Sequence, residues 1–255
     1  MKDTNYSEFC ENLFINWLDD KLSVEKDFGF DLGALPEPYL TFGNNSEEIC
    51  FLTTNPGQVM DFQRKSSGGE SFFKAGEKYH DLSKRLASHY NENLKNSAKT
   101  RILNMYDFSK RLKPNCDGFT QFEISPFHSA NFPRKELFSE YVLNNDVSIH
   151  RKYIDLLTIK LKDMSCVCVQ CGYPTMDRLN KDWFKLISKI FNVEINRWKT
   201  VFFKTKNQKP TTGAFYFVDK SKFKVILFNS GANSIPRLDT MGELFEILSS
   251  KEPNG

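Results

Sequence analysis

The sequence predicts an α/β fold, a three-layer αβα sandwich around a central, mostly parallel sheet. Three observations carry this. Short apolar runs at 48–54, 119–124, 166–170 and 223–228 read as buried strands, each stopped by a turn signal. Stretches with apolar residues at helical spacing stand between them. Strands alternating with helices favour parallel pairing through crossover connections.

In chain order, Phe9, Leu13, Phe14, Trp17, Leu18 and Leu22 predict a helix over 7–22. Residues 23–46, with Gly29, Gly33, Pro36, Pro38 and Gly43, read as loops around a short strand, Tyr39 to Phe42. The strand Glu48 to Thr54 stops at Asn55-Pro56-Gly57. Residues 58–71, with Ser66-Ser67-Gly68-Gly69, read as a loop, and helical patterns follow over 72–92 and 95–112. Phe119 to Ile124 is a second strand and ends at Ser125-Pro126-Phe127-His128-Ser129. A helix over 146–162 carries Ile149, Tyr153, Leu156, Leu157 and Leu161. A third strand, Cys166 to Gln170, is stopped by Gly172 and Pro174, and 175–191 reads as a helix. Val193 to Lys204, Gly213 to Val218 and Phe223 to Phe228 read as strands, the last ending at Asn229-Ser230-Gly231. Thr240-Met-Gly-Glu243 is a capping box before a last helix, Leu244 to Leu248.

The 255 residues hold no repeat or linker, so one domain over 1–255 is expected, with 1–46 packed on it. A 40% hydrophobic content with 24 Phe supports a large, Phe-rich core and argues against disorder. The opening stretch is charged and amphipathic, unlike a secretion leader, and no apolar run is long enough for a membrane span. Cys10, Cys50, Cys116, Cys166, Cys168 and Cys171 sit mostly inside apolar runs, which suits reduced thiols in the cytoplasm. The run Cys166-Val-Cys-Val-Gln-Cys171 is not read as a metal site: Cys166 and Cys168 alternate with Val167 and Val169 in a strand-like run, and no second Cys or His cluster stands near to complete four ligands.

A net charge of +3 permits nucleic-acid binding without demanding it. Basic residues cluster late, at Lys199, Lys204, Lys206, Lys209, Lys220, Lys222 and Lys224, among Trp198, Phe202, Phe203, Phe215, Tyr216 and Phe217. That pattern suits either a phosphate-tracking surface or edge strands guarded against aggregation. His80, His89 and His150 read as solvated on polar helical faces, while His128 lies at a strand end. No paired carboxylates are expected at the strand ends.

In open parallel sheets, ligands bind beyond the carboxyl ends of the strands. Three predicted strands end in small or polar residues, at 54–57, 125–129 and 229–231, and these loops are expected on one rim.

Phe51-Leu-Thr-Thr-Asn-Pro-Gly57 resembles the first motif of the uracil-DNA glycosylase superfamily. It is closest to the mismatch-specific and single-strand-selective branches, whose strand ends in Gly-X-Asn-Pro-Gly. Thr53 stands where that glycine would be. Phe228-Asn-Ser-Gly-Ala-Asn-Ser234 is similar to the second motif, a Pro-Ser-Gly-type loop, with Asn229 in place of the proline. The leading His or Asn of that motif falls on Phe228, or on Asn229 if the loop is one residue shorter. The resemblance spans roughly residues 47–248 in order.

It implies a monofunctional DNA glycosylase that hydrolyses the N-glycosidic bond of a flipped uracil, thymine or modified pyrimidine. The setting is DNA repair or defence against modified foreign DNA. Asn55 and Asn229 are the implied catalytic residues, Asn55 placing a water without deprotonating it. Thr54, Gly57, Phe127, His128 and Ser129 would bind the base. Gly57 leaves room for a 5-substituent, and Phe127 either stacks on the base or packs in the core. Ser230, Gly231, Ala232, Asn233 and Arg237 would grip DNA, with Ile235 or Leu238 as a wedge. The partner is duplex or single-stranded DNA; the protein is expected to act as a monomer, with no membrane, cofactor or metal. The alternatives are a non-catalytic DNA- or nucleotide-binding module of the same fold, and an enzyme acting on a small nucleotide in a closed pocket.

Overall fold

The computed structural model describes residues 5–26, 28–44, 49–54, 56, 60–64, 72–74, 76–93, 96–129, 135–162, 164, 166–169, 181–203, 212–219, 224–229 and 246. It is a mixed α/β fold. The helices are α1 (Tyr6–Leu18), α2 (Tyr79–Asn93), α3 (Asn96–Leu112), α4 (Lys135–Asn144), α5 (Ile149–Leu161) and α6 (Asp182–Phe191). The strands are β1 (Tyr39–Gly43), β2 (Ile49–Thr53), β3 (Gly118–Glu123), β4 (Cys166–Val169), β5 (Lys199–Phe203), β6 (Thr212–Asp219) and β7 (Lys224–Asn229). They form one seven-stranded sheet in the order β1-β3-β2-β4-β7-β6-β5.

The expectation of a mostly parallel sheet needs correction. β3-β2-β4-β7 is a parallel centre, but β1 on β3, β6 on β7 and β5 on β6 are antiparallel. For β6 on β7 the reason is connection length. Residues 220–223 alone separate β6 from β7, and a parallel crossover needs a dozen or more. The long intervals between the four central strands hold the helices.

Alternation along the strands gives the sheet two apolar faces. On one, Phe51 meets Phe108 of α3, and Tyr106 meets Phe42 and Phe119. On the other, Tyr6 of α1 packs on Tyr39, Phe122 and Tyr153 of α5. No helix among the described residues is long and apolar enough to cross a membrane.

Local chemistry sets the helix ends. Asn5 Oδ1 accepts from the Glu8 amide at 2.9 Å and caps α1. α1 stops earlier than its apolar spacing predicts, because Asp20 takes the left-handed conformation at φ 58. α2 begins later than expected: Gly76 has φ +73, and the Tyr79 amide is claimed by Glu11 Oε2 at 2.6 Å. α4 was not expected, since its inward face is only Phe138, Ser139 and Val142 while Leu137 is exposed. Residues 195–197 form a 3-10 turn where a strand was expected. The expected capping box at 240–243 lies outside the described residues, and Glu246 beyond it is helical.

Two charged residues lie elsewhere than the sequence suggests. His150 is 1% exposed, because it shares the inward stripe of α5 with Tyr153, Ile154, Leu157 and Leu161. Lys224 is buried, and its Nζ donates to the carbonyls of Leu161 (2.8 Å) and Lys162 (2.9 Å). It closes the C-terminal end of α5, where a cation is favoured, and is not part of a phosphate surface. Lys199 lies exposed on the edge strand β5, as an edge guard would.

Candidate functional site

The parallel register lines up the strand ends. Thr53 pairs with Glu123, Leu52 with Val169, and Val169 with Phe228. The carboxyl ends of β3, β2, β4 and β7 therefore share one rim. From β2 the chain steps outward to β3, then returns past β2 to β4. The connections diverge there, between β2 and β4, which is where such sheets hold ligands.

Pairing continues past the strand ends. The Ile124 amide donates to the Thr53 carbonyl at 2.9 Å, and the Ser125 amide to the Thr54 carbonyl at 3.0 Å. The turn that begins at Ser125 is thus bound directly to the residue before Asn55. Asn229 ends β7 opposite Ala214. Asn55, Gly57, Ser230, Gly231, Ala232, Asn233 and Arg237 lie outside the described residues, as does Cys171.

Phe127, His128 and Ser129 are all buried. The Phe127 ring packs against Phe30 and His150, each with centroids at 5.6 Å. Of the two roles open to Phe127, core packing is the one its contacts describe. The His128 side chain is fully enclosed, with Nε2 facing Gln63 Nε2 and Glu37 Oε1.

Sequence reading missed two buried polar groups beside this rim. The first joins four elements. Glu37 is 2% exposed and accepts from Tyr90 OH at 2.8 and 3.1 Å and from Gln63 Nε2. Gln63 Nε2 also reaches Tyr90 OH (2.6 Å) and faces His128 Nε2 (3.3 Å), while Gln63 Oε1 accepts from the Met60 amide (2.7 Å). A carboxylate removed from water needs such donors. Burial, and then the charge of Glu37, push the Tyr90 phenol well above its usual range, so it stays a donor.

The second group is Glu123 with Thr53 and Gln121. Thr53 Oγ1 donates to Glu123 Oε2, and Gln121 Nε2 to Glu123 Oε1 at 2.6 Å. Tyr153 OH donates to the Glu123 carbonyl at 2.6 Å. One carboxyl group, that of Glu123, therefore stands at the end of β3. The 37–38 segment runs alongside it through Glu123 N to Pro38 O (3.1 Å) and Glu37 N to Pro126 O (2.7 Å). The available signal was Thr120, Gln121 and Glu123 inside an otherwise buried run.

A cleft of about 850 Å³ lies elsewhere, between α5, α6 and the start of β7. Its charges are mixed, with Lys162, Lys185, Lys189, Arg197 and Lys224 beside Asp155, Glu194 and Asp219, and no parallel strand ends there. The rim has the stronger chemical case because its polar groups are buried and mutually oriented. Cys166 is buried in β4, and among the described residues no three His, Cys, Asp or Glu are grouped to hold a metal ion.

Compared with known proteins, the chain matches no family model, no curated protein and no solved structure.

Proposed function

We propose that the chain is a monofunctional DNA glycosylase of the uracil-DNA glycosylase kind, built as a three-layer αβα sandwich. It acts in the cytoplasm as a monomer on a pyrimidine flipped from duplex or single-stranded DNA, in repair or in defence against modified foreign DNA. One observation carries the reading: the 3.0 Å bond from the Ser125 amide to the Thr54 carbonyl. It ties Thr54, the residue before Asn55, to the Ser125–Ser129 turn, and such an enzyme needs those two segments together. Helical contacts on both sheet faces support the layered architecture.

In this reading Asn55 holds a water near the sugar. The water oxygen bonds to C1′, the bond from C1′ to the base breaks, and its electron pair leaves with the base. The proton from the water goes to the departing base or to solvent. Flipping the base costs a few kcal/mol, least where it is mismatched or single-stranded.

The test uses oligonucleotides that carry uracil, a thymine mismatch or a 5-substituted cytosine. Abasic sites should form with the wild type and fall at least a hundredfold with Asn55→Ala. Undiminished product from Asn55→Ala would remove Asn55 from catalysis. No abasic site on any substrate would overturn the enzyme reading. Tight, salt-dependent binding without product would then favour a binding module. The side chain of Thr53, held by Glu123 where a glycine is usual, speaks for that second reading.

A further inference from the structure

A second cavity, of about 210 Å³, opens between α1, α2 and α5 on the sheet face that carries Tyr39 and Phe122. Three rings in mutual contact form one wall. Tyr6 meets Tyr39 at 6.0 Å and Phe122 at 5.8 Å, and Tyr39 meets Phe122 at 6.1 Å. Thr41 and Thr120, direct partners in the β1–β3 register, line it two residues further along their strands. Their short side chains leave space that larger ones would fill. Ser7, His80 and Lys160 also line the cavity and are exposed, so it has a mouth.

The fold sets the level of each group along the sheet. Tyr153, near the start of α5, donates to the Glu123 carbonyl at the end of β3. The last carbonyls of α5 accept from Lys224 at the start of β7, so the helix runs back toward the amino ends of the central strands. Lys160 lies seven residues beyond Tyr153, about 10 Å along the helix. Thr120 lies three residues before Glu123, also about 10 Å along its strand. Lys160 and the threonine pair therefore share one level, and the three rings stand nearer the carboxyl ends.

Charge and size together select the ligand. Among the described residues no carboxylate lines the cavity, and its fixed positive charge is Lys160. Burial raises the phenols of Tyr6 and Tyr39, so both stay uncharged. Glu11 and Asp81 act on Tyr39 from outside the lining, and Glu11 Oε2 is held by the Tyr79 amide at 2.6 Å. The Ser83 hydroxyl donates to the His80 carbonyl at 2.8 Å and stands 3.5 Å from Thr41 Oγ1, which leaves the Thr41 proton for a ligand. A dry cavity of about 150 Å³ takes benzene. The larger volume here adds room for one small polar group on such a ring, and falls short of what a nucleotide fills.

We propose that this cavity is a binding site for a small ring-bearing carboxylate, with its ring against Tyr6, Tyr39 and Phe122 and its carboxylate between Lys160 and Thr41. The polar end of the site lies toward the amino ends of the central strands, away from the rim. The site therefore stands apart from the glycosylase reading.

The experiment titrates benzoate into the full chain by calorimetry. Benzamide, the same ring without the charge, and inorganic phosphate serve as comparisons. Benzoate should bind one to one and at least about tenfold tighter than benzamide, the difference a charge-assisted contact makes. Inorganic phosphate at equal concentration should not displace it. Lys160→Gln should weaken benzoate at least about tenfold and leave benzamide unchanged, whereas Lys160→Arg should keep the preference. Thr41→Val keeps the volume, removes the hydroxyl and should weaken benzoate severalfold. Circular dichroism checks that the variants fold, and the wild-type ratio of benzoate to benzamide decides the matter if they do not. Absent benzoate binding, equal affinity for benzoate and benzamide, displacement by phosphate, or full benzoate affinity in folded Lys160→Gln would each overturn the site.

Discussion

Glu37 Oε1 and His128 Nε2 stand 3.7 Å apart inside the protein, with the amide of Gln63 reaching both residues. The four partners of this network come from the segment before β1, the 3-10 turn Asp61–Gln63, α2 and the turn after β3. It therefore fixes the 3-10 turn Asp61–Gln63 against the turn that begins at Ser125.

Glu37→Ala would leave Tyr90 OH and the Gln63 amide without their acceptor in the interior. Each buried group left unmatched costs about 1–3 kcal/mol. Glu37→Ala should lower the unfolding free energy by about 3 kcal/mol, and Glu37→Gln by about 1 kcal/mol, because its carbonyl still accepts. Urea unfolding measures both. Equal losses would show that the remaining carbonyl does not stand in for the carboxylate.

Lys224 serves α5 rather than a ligand. Lys224→Met keeps the stem and removes two hydrogen bonds to carbonyls, so stability should fall by about 1–2 kcal/mol. The salt slope of DNA binding should not change, since each lost phosphate contact would reduce it by nearly one. A slope reduced by one would return Lys224 to the DNA surface.

The parallel centre of the sheet was legible because β2, β4 and β7 are largely apolar runs, two of them stopping at Asn55 and Asn229, and β3 keeps an apolar frame at Phe119, Phe122 and Ile124. The antiparallel wings were not, since β5 and β6 have the same Val and Phe content and the pairing of β6 with β7 is set by the short connection at 220–223. Glu37 was hidden between Pro36 and Pro38, a context that reads as exposed loop. Nothing local announces that its backbone continues β1 along Ser125 and Pro126. His150 was legible in principle. Its spacing to Tyr153, Ile154, Leu157 and Leu161 is that of one helical face, and only its residue type suggested solvent. The ends of β2 and β3 could be brought together by topology alone, whereas the inward turn of Phe127 depends on Phe30 and His150, far away in the chain.

Gly43 and Gly118 face each other at the end of the β1–β3 pair. Gly43 has φ +72, and a Cβ there would lie 2.1 Å from the Asp117 carbonyl oxygen. A Cβ on Gly118 would lie 2.2 Å from the Phe42 carbonyl oxygen. Backbone atoms cannot step aside as a flexible side chain can. Gly43→Ala and Gly118→Ala should each cost about 2 kcal/mol or more. Gly29→Ala, at φ +80 with open space, should cost only the backbone term of about 1–2 kcal/mol. Thermal unfolding of the three variants ranks them, and Gly29→Ala as the most damaging would contradict the packing at this edge.

His150 should make the fold acid-sensitive. Its ring lies among Phe28, Phe30, Phe127, Phe138 and Tyr141, and neither ring nitrogen has a hydrogen-bond partner. Burial pushes its pKa down to about 4 from 6.5, with Glu25 pulling weakly the other way. Lys26 sits over two of these rings, Phe28 and Tyr141, at 5.4 and 5.3 Å. Because the folded pKa is the lower one, the unfolded chain binds the proton first, and protonation favours unfolding. The stability tied to a neutral ring is therefore full above about pH 6.5, falls as the pH drops through that window, and is gone below about 4. The loss is on the order of 3 kcal/mol. Urea midpoints measured from pH 7.5 to 4 should fall for the wild type. His150→Leu keeps an apolar side chain in the same box and has nothing to titrate, so its midpoints should fall less over that range, by the share His150 contributes. Identical slopes for the two proteins would place the acid sensitivity in other groups.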